Sequence, residues 1–155
     1  CHYLREFPVP ALSNKQMSMN SMELAEFLER GRVGVVATLR RDGYPQVSPV
    51  WYRYDGKSII IWAEKDRVWV RNAKRNSRVA FSVQDQEPPF GAVVVRGRAE
   101  VTDRLDETGL DEAKKISRRY MGEDKVDGYV EGFWPQLHTF VKITPEAVKS
   151  WGRGY

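Results

Sequence analysis

Short apolar, β-branched runs bounded by turn residues recur along the chain, the signature of strands. Three stretches shift to helical spacing instead. Asn20 or Ser21 caps the first helix, which runs to about Arg30 with Leu24, Ala25, Phe27 and Leu28 on one face and Gly31 as its stop. A strand follows over 33–39, and Asp42-Gly43 marks a hairpin turn. The next strand is predicted over 46–54, and Asp55-Gly56 turns it into an almost wholly apolar strand, Ser58-Ile59-Ile60-Ile61-Trp62-Ala63. Pro49 cannot donate to a ladder, so it marks an edge or a bulge. The second helical stretch, 65–75, is cationic. Strands over 78–83 and 92–101 flank a loop carrying Pro88-Pro89, and the third helix is predicted over 106–121. A polar loop with glycines then leads to a last strand over 138–144, a turn at Pro145 and a tail ending near Trp151.

Six hairpin-linked strands with few intervening helices predict a mainly β fold, an antiparallel sheet curled into a barrel with flanking helices. The 155 residues suit one domain, assigned to 18–155, with 1–17 read as an N-terminal arm partly foreign to it and Met17, Met19 and Met22 as alternative starts. Composition, 41% hydrophobic and 30% charged, is that of a globular protein. No apolar run reaches the roughly 18 residues that span a bilayer. No signal-peptide pattern opens the chain, so a cytoplasmic protein without a membrane partner is expected. The single cysteine, Cys1, cannot form an intrachain disulfide. A net charge of +4 permits anionic partners without choosing among them.

The charge is concentrated where the pattern changes. Between Lys65 and Arg75 stand five cations and one carboxylate, directly after the apolar 58–63 strand. Arg71, Lys74 and Arg75 are spaced to share a helix face. Lys65 and Arg67 fall at the helix start, where free backbone N–H groups and the helix dipole favour phosphate. An apolar sheet opening onto such a helix suits a ligand with a flat ring and a phosphate tail. The plain alternative is a solvated basic face. Ser48-Pro49-Val50-Trp51-Tyr52 either packs in the barrel or offers backbone to the polar edge of a ring.

These pieces resemble the split-barrel family related to pyridoxamine 5′-phosphate oxidase, and within it the branch of flavin- and deazaflavin-dependent oxidoreductases. The resemblance rests on Gly34-Val35-Val36-Ala37-Thr38-Leu39, on the run from Asp42-Gly43-Tyr44-Pro45 through Trp51-Tyr52, on Arg71-Asn72-Ala73-Lys74-Arg75-Asn76-Ser77-Arg78-Val79, and on Gly97-Arg98-Ala99-Glu100-Val101. Ile143-Thr144-Pro145-Glu146-Ala147-Val148 fits the family's last strand. The resemblance implies an FMN-binding-like antiparallel split β-barrel. It also implies a homodimer with cofactor sites at the subunit interface, binding coenzyme F420 (favoured) or FMN and exchanging hydride with a small organic substrate. Gln46, Val47, Ser48, Pro49, Val50, Trp51, Trp62 and Ala63 would lie near the ring, and Lys65, Arg67, Trp69, Arg71, Asn72 and Lys74 near the phosphate. Trp69 departs from the branch, where a lysine commonly stands and binds phosphate. An indole cannot supply that charge.

No catalytic residue is assigned; Ser48 and Tyr52 are candidates by position alone. The cofactor carries such chemistry and the protein orients it. His2 and His138 lack spaced ligand neighbours, so no metal is expected. The rival readings are a barrel that stacks single-stranded nucleic acid, the less favoured partner, and a non-catalytic flavin-, haem- or bilin-binding relative.

Overall fold

Seven antiparallel strands form one sheet in the computed structural model of the chain, which describes residues 18–134 and 136–152. The arm expected over 1–17, with Cys1 and His2, lies outside the described residues. In chain order the elements are α1 (Ser21–Glu29), β1 (Gly34–Leu39), β2 (Pro45–Val50), β3 (Tyr52–Tyr54), β4 (Ile59–Ala63), α2 (Val68–Arg75), β5 (Arg78–Gln84), β6 (Ala92–Asp103), α3 (Glu107–Arg118), α4 (Glu123–Phe133) and β7 (Thr139–Trp151). The fold is the mainly β, antiparallel split barrel expected from the sequence.

The strand order is β2-β1-β5-β6-β7-β4-β3. Its two end strands are consecutive in the chain. The sequence predicts one strand over 46–54, and the structure divides it at Trp51. Residues 45–50 pair with β1, and residues 52–54 pair with β4 at the far edge. The barrel is thus closed by the covalent chain and not by a ladder. Neither glycine nor proline marks the break, because topology imposes it: one segment has to leave one sheet edge and join the other. Pro45 and Pro49 have the same parity on β2, an edge strand, so both missing N–H groups suit the side without a strand neighbour.

Two other expectations are corrected. The glycine-containing loop after α3 is the helix α4. Glu123 and Asp124 complement its N-terminal dipole, and Val126 and Val130, four apart, are buried. Pro145 does not end the last strand. β7 continues to Trp151 by absorbing one extra residue: Gly97 pairs with Pro145 and Arg96 with Ala147. That bulge needs Gly97, since a Cβ there would collide with the Thr144 carbonyl.

The main core fills the barrel. Alternate residues such as Ile59 and Ile61 on β4, Val93 and Val95 on β6, and Val141 and Ile143 on β7 point inward. A second core lies outside the sheet, where Ala113, Ile116, Val126 and Val130 of α3 and α4 cover Phe140, with Ile60, Trp62 and Trp51 packed against them. Both faces of β4 are therefore covered, which accounts for its unbroken apolar sequence. A capping box starts α1: Asn20 Oδ1 accepts from Glu23 N at 2.9 Å, and the Glu23 carboxylate accepts from Asn20 N at 3.2 Å. Its last carbonyls are held by Arg119, whose guanidinium donates to Leu28 O and Arg30 O, both at 2.7 Å, and also to Tyr52 O.

Candidate functional site

A cleft of about 750 Å³ opens where the chain crosses between the two sheet edges. Ser48, Pro49, Val50 and Trp51 form one wall. Trp62, Ala63 and Glu64 at the end of β4, with Arg67 and Trp69 at the start of α2, form another. Ile116, Tyr129, Phe133, Gln136 and Leu137 form the third, and Val33 sits at the rim. The volume falls within the roughly 300–1,000 Å³ usual for small-molecule and cofactor sites.

The aromatic walls are fixed by specific contacts. Trp51, between β2 and β3, stacks on Tyr120 at a centroid distance of 4.7 Å and 8° between planes. The Tyr120 hydroxyl accepts from Tyr52 N at 3.1 Å and donates to Arg32 O at 2.8 Å. Burial pushes its pKa above the ordinary phenol value. Trp62 donates its indole N–H to Leu137 O at 2.8 Å, so only its ring face is free for a ligand. Tyr129 meets Trp62 edge to face at 6.4 Å and Phe133 at 5.1 Å. Such T-shaped arrangements are favourable aromatic geometries. Polar and apolar surface are about evenly mixed, with Ser48, Gln136 and the Glu64–Arg67 pair at 2.9 Å among the lining. That pair is exposed, so it contributes about 0–1 kcal/mol and yields readily to another anion.

Of the residues nominated from sequence, the structure brings Ser48, Pro49, Val50, Trp51, Trp62, Ala63, Arg67 and Trp69 together in the cleft. Gln46 and Val47 lie further along β2, and Lys65 is exposed beside the α2 start. Arg71, Asn72 and Lys74 line a separate depression with Arg41, Val68 and Arg75. Asn72 is buried, and its amide donates to Thr38 Oγ1 at 3.2 Å. Tyr52 is fully buried in the barrel against Phe81 and does not reach the cleft. Tyr129 and Phe133, absent from the residues the sequence nominates, reach the cleft from α4, where the sequence predicts a loop. Their spacing of four, with Val126 and Val130 alongside, is the signal that finds them. His138 meets Trp134 edge to face at 6.5 Å.

The cleft presents flat aromatic faces beside a cation. Aromatic faces and an edge strand line its body. Arg67 sits at the mouth as the N-cap residue of a helix without a side-chain cap, which leaves N–H groups for an anion. Trp69 is 5% exposed and belongs to the barrel core, so it supplies a wall and no charge.

The chain matches the pyridoxamine 5′-phosphate oxidase family over residues 21–152. Among solved structures, a conserved hypothetical protein from Mycobacterium tuberculosis is 26% identical, with a TM-score of 0.76 over 88% of this chain and 86% of that one. A protein described as an F420 reductase is 31% identical, with a TM-score of 0.62 over 80% of this chain and 94% of its own. A candidate pyridoxamine 5′-phosphate oxidase from Listeria innocua, 21% identical with a TM-score of 0.64 over 84% of this chain and 96% of its own, shares the fold.

Proposed function

The chain belongs to the pyridoxamine 5′-phosphate oxidase family, and on that premise we propose that it is an oxidoreductase whose cleft holds a flavin-type cofactor, coenzyme F420 in preference to FMN. One observation carries the reading. The β2 backbone, the apolar end of β4 and the cationic start of α2, three separate segments, converge on one cleft with flat aromatic walls. The F420 reductase likeness supports the choice of cofactor.

When bound, the cofactor supplies a ring that accepts or donates hydride. The chain's own part is to bind and orient. The Ser48–Trp51 backbone would meet the polar edge of the ring. Trp62 and Ala63 would pack against it. Arg67 and the uncapped start of α2 would take the phosphate in place of Glu64, with Lys65 nearby. Tyr129 and Phe133 would shield the ring from water and leave room for a small, planar organic substrate. Exposed apolar side chains at Val33 and Phe133 line the cleft, and Val47 is exposed further along β2. They support closure by a second copy of the chain, so the proposed form is a homodimer with two sites.

Parallel fluorescence titrations of the apoprotein with FMN and with F420 test this reading. Binding tighter than about 100 μM, roughly −5.5 kcal/mol, is expected for F420, with FMN weaker. Failure of both ligands to bind below that concentration sinks the proposal.

A further inference from the structure

A second candidate site is centred on the opposite end of α2, a helix about 12 Å long. There Arg40, Arg41, Arg75, Arg78 and Arg98 surround Asn76 and Ser77 in a shallow depression of about 830 Å³. It shares Arg41 and Arg75 with the neighbouring depression that Arg71 and Lys74 line. None of these residues lines the cleft.

Helix electrostatics accounts for part of this charge. Lys74 and Arg75 are in the last turn of α2, where the dipole favours cations. Arg75 is further fixed by donating to Leu39 O at 2.8 Å and Asn72 Oδ1 at 2.9 Å. The helix dipole does not account for the strand arginines, of which Arg78 reaches Asn76 Oδ1 at 3.5 Å and Arg98 donates to Ser77 Oγ at 3.3 Å. Arg78 on β5 stands directly opposite Arg98 on β6, an arrangement of like charges that destabilises a sheet. Compensation is partial. The β7 bulge places Glu146 against Arg98 at 2.7 Å, and Asp42 sits 3.4 Å from Arg40. Among the described residues no carboxylate pairs with Arg41, Arg71, Lys74, Arg75 or Arg78.

We propose that this face binds an extended phosphate chain, which supplies the missing negative charge between the opposed Arg78 and Arg98 and across to Arg41. Three features select that chemistry. Six of the seven cations are arginine, the residue whose planar fork matches phosphate with two parallel bonds. Two depressions joined through Arg41 and Arg75 need more than one anionic group to fill them. No aromatic side chain lines either depression, so there is no platform for bases, and the ligand is read by its phosphates alone. This site is independent of the cofactor reading, because the two share no residue.

Calorimetric titration of the full chain at low salt tests it, with tripolyphosphate, orthophosphate and an oligodeoxythymidylate as probes. Tripolyphosphate should bind below about 1 mM and at least tenfold more tightly than orthophosphate. The double variant Arg41→Gln, Arg78→Gln should weaken it at least tenfold while leaving F420 and FMN titrations unchanged. Arg78→Gln alone should raise Tm in the absence of anion, since it removes a repulsion, whereas a purely structural role for Arg78 predicts a fall. Absence of tripolyphosphate binding, an affinity unaffected by the double variant, or a lowered Tm for Arg78→Gln overturns the proposal. So does oligodeoxythymidylate binding that outcompetes tripolyphosphate, which would point to a nucleic-acid backbone instead.

Discussion

Replacing Trp69 by lysine separates its packing role from any role in holding phosphate. The indole is 5% exposed, lies in the barrel core and also forms a wall of the cleft. Truncating a buried tryptophan to alanine costs about 3–5 kcal/mol. Lysine keeps a four-carbon stem and can extend its ammonium toward the cleft mouth, so Trp69→Lys is expected to cost about 2–4 kcal/mol. Against a total stability of roughly 5–15 kcal/mol, the variant folds but is visibly weakened. Urea unfolding followed by far-ultraviolet circular dichroism reads this directly, provided the m-value is unchanged. The same preparation is then titrated with F420. An ammonium reaching the proposed phosphate position should tighten binding about tenfold, a gain of about 1.4 kcal/mol. Stability and affinity are thus expected to move in opposite directions. A stability loss below about 0.5 kcal/mol refutes the packing argument, the value typical of surface substitutions. Weaker F420 binding in a variant that is still folded refutes the placement of phosphate at the start of α2.

Two further predictions concern the buried polar groups that hold the site together. Arg119→Met removes the guanidinium from the α1 carbonyls at Leu28 and Arg30 and from Tyr52 O. Hydrogen bonds to a charged group contribute about 1.5–3 kcal/mol each, so a loss of about 3–5 kcal/mol is expected in urea, and a loss under about 1 kcal/mol contradicts the clamp. The Tyr52 hydroxyl is buried, and burial holds its pKa above the ordinary phenol value despite the Arg119 guanidinium beside it. A raised folded-state pKa gives stability that is complete below about pH 10 and is lost as pH climbs toward the folded value. Tyr52→Phe should therefore be close to neutral at pH 7 and should reduce the alkaline loss of stability in a Tm-versus-pH series. An unchanged alkaline limb sinks that assignment.

What was legible in the sequence follows from which forces act locally. Alternation in 34–39 and 92–101 reports one buried face per strand, and the Asn20–Glu23 capping box is written within four residues. The cationic helix was legible as a helix but not as a single surface. At about 100° per residue, Arg71 lies roughly 200° around α2 from Trp69. Both cannot face one cleft, and the structure turns Trp69 inward and leaves Arg71 exposed. The break at Trp51 was not legible because it depends on strand order, a non-local property. α4 was obscured by Gly128 and Gly132, which lower helix propensity while tertiary burial of Val126 and Val130 secures the helix.

The break at Trp51 also explains why the cleft depends on the outer helical layer. A residue in register would face either the barrel core or the sheet's outer surface. Trp51 has no ladder partner on either side, so its indole is free to turn onto Tyr120 just beyond α3. The same layer is fastened to β3 by Arg53, which grips Glu112 of α3 through two bonds of 2.8 and 2.9 Å. Glu112 is buried, so leaving either partner alone there costs about 3–5 kcal/mol, far more than a surface pair. The Arg53–Glu112 pair, the Arg119 clamp and the Tyr120 hydroxyl all act at Tyr52 and Arg53, directly after the break at Trp51. The barrel core does not need these contacts in order to pack. The aromatic walls do, because Trp51, Tyr129 and Phe133 have fixed positions only when α3 and α4 are docked. On the proposed function, ligand affinity is expected to depend on docking of the α3–α4 layer: Glu112→Gln should weaken F420 binding in the fluorescence titration at urea concentrations that leave the barrel folded, and unchanged affinity refutes the coupling.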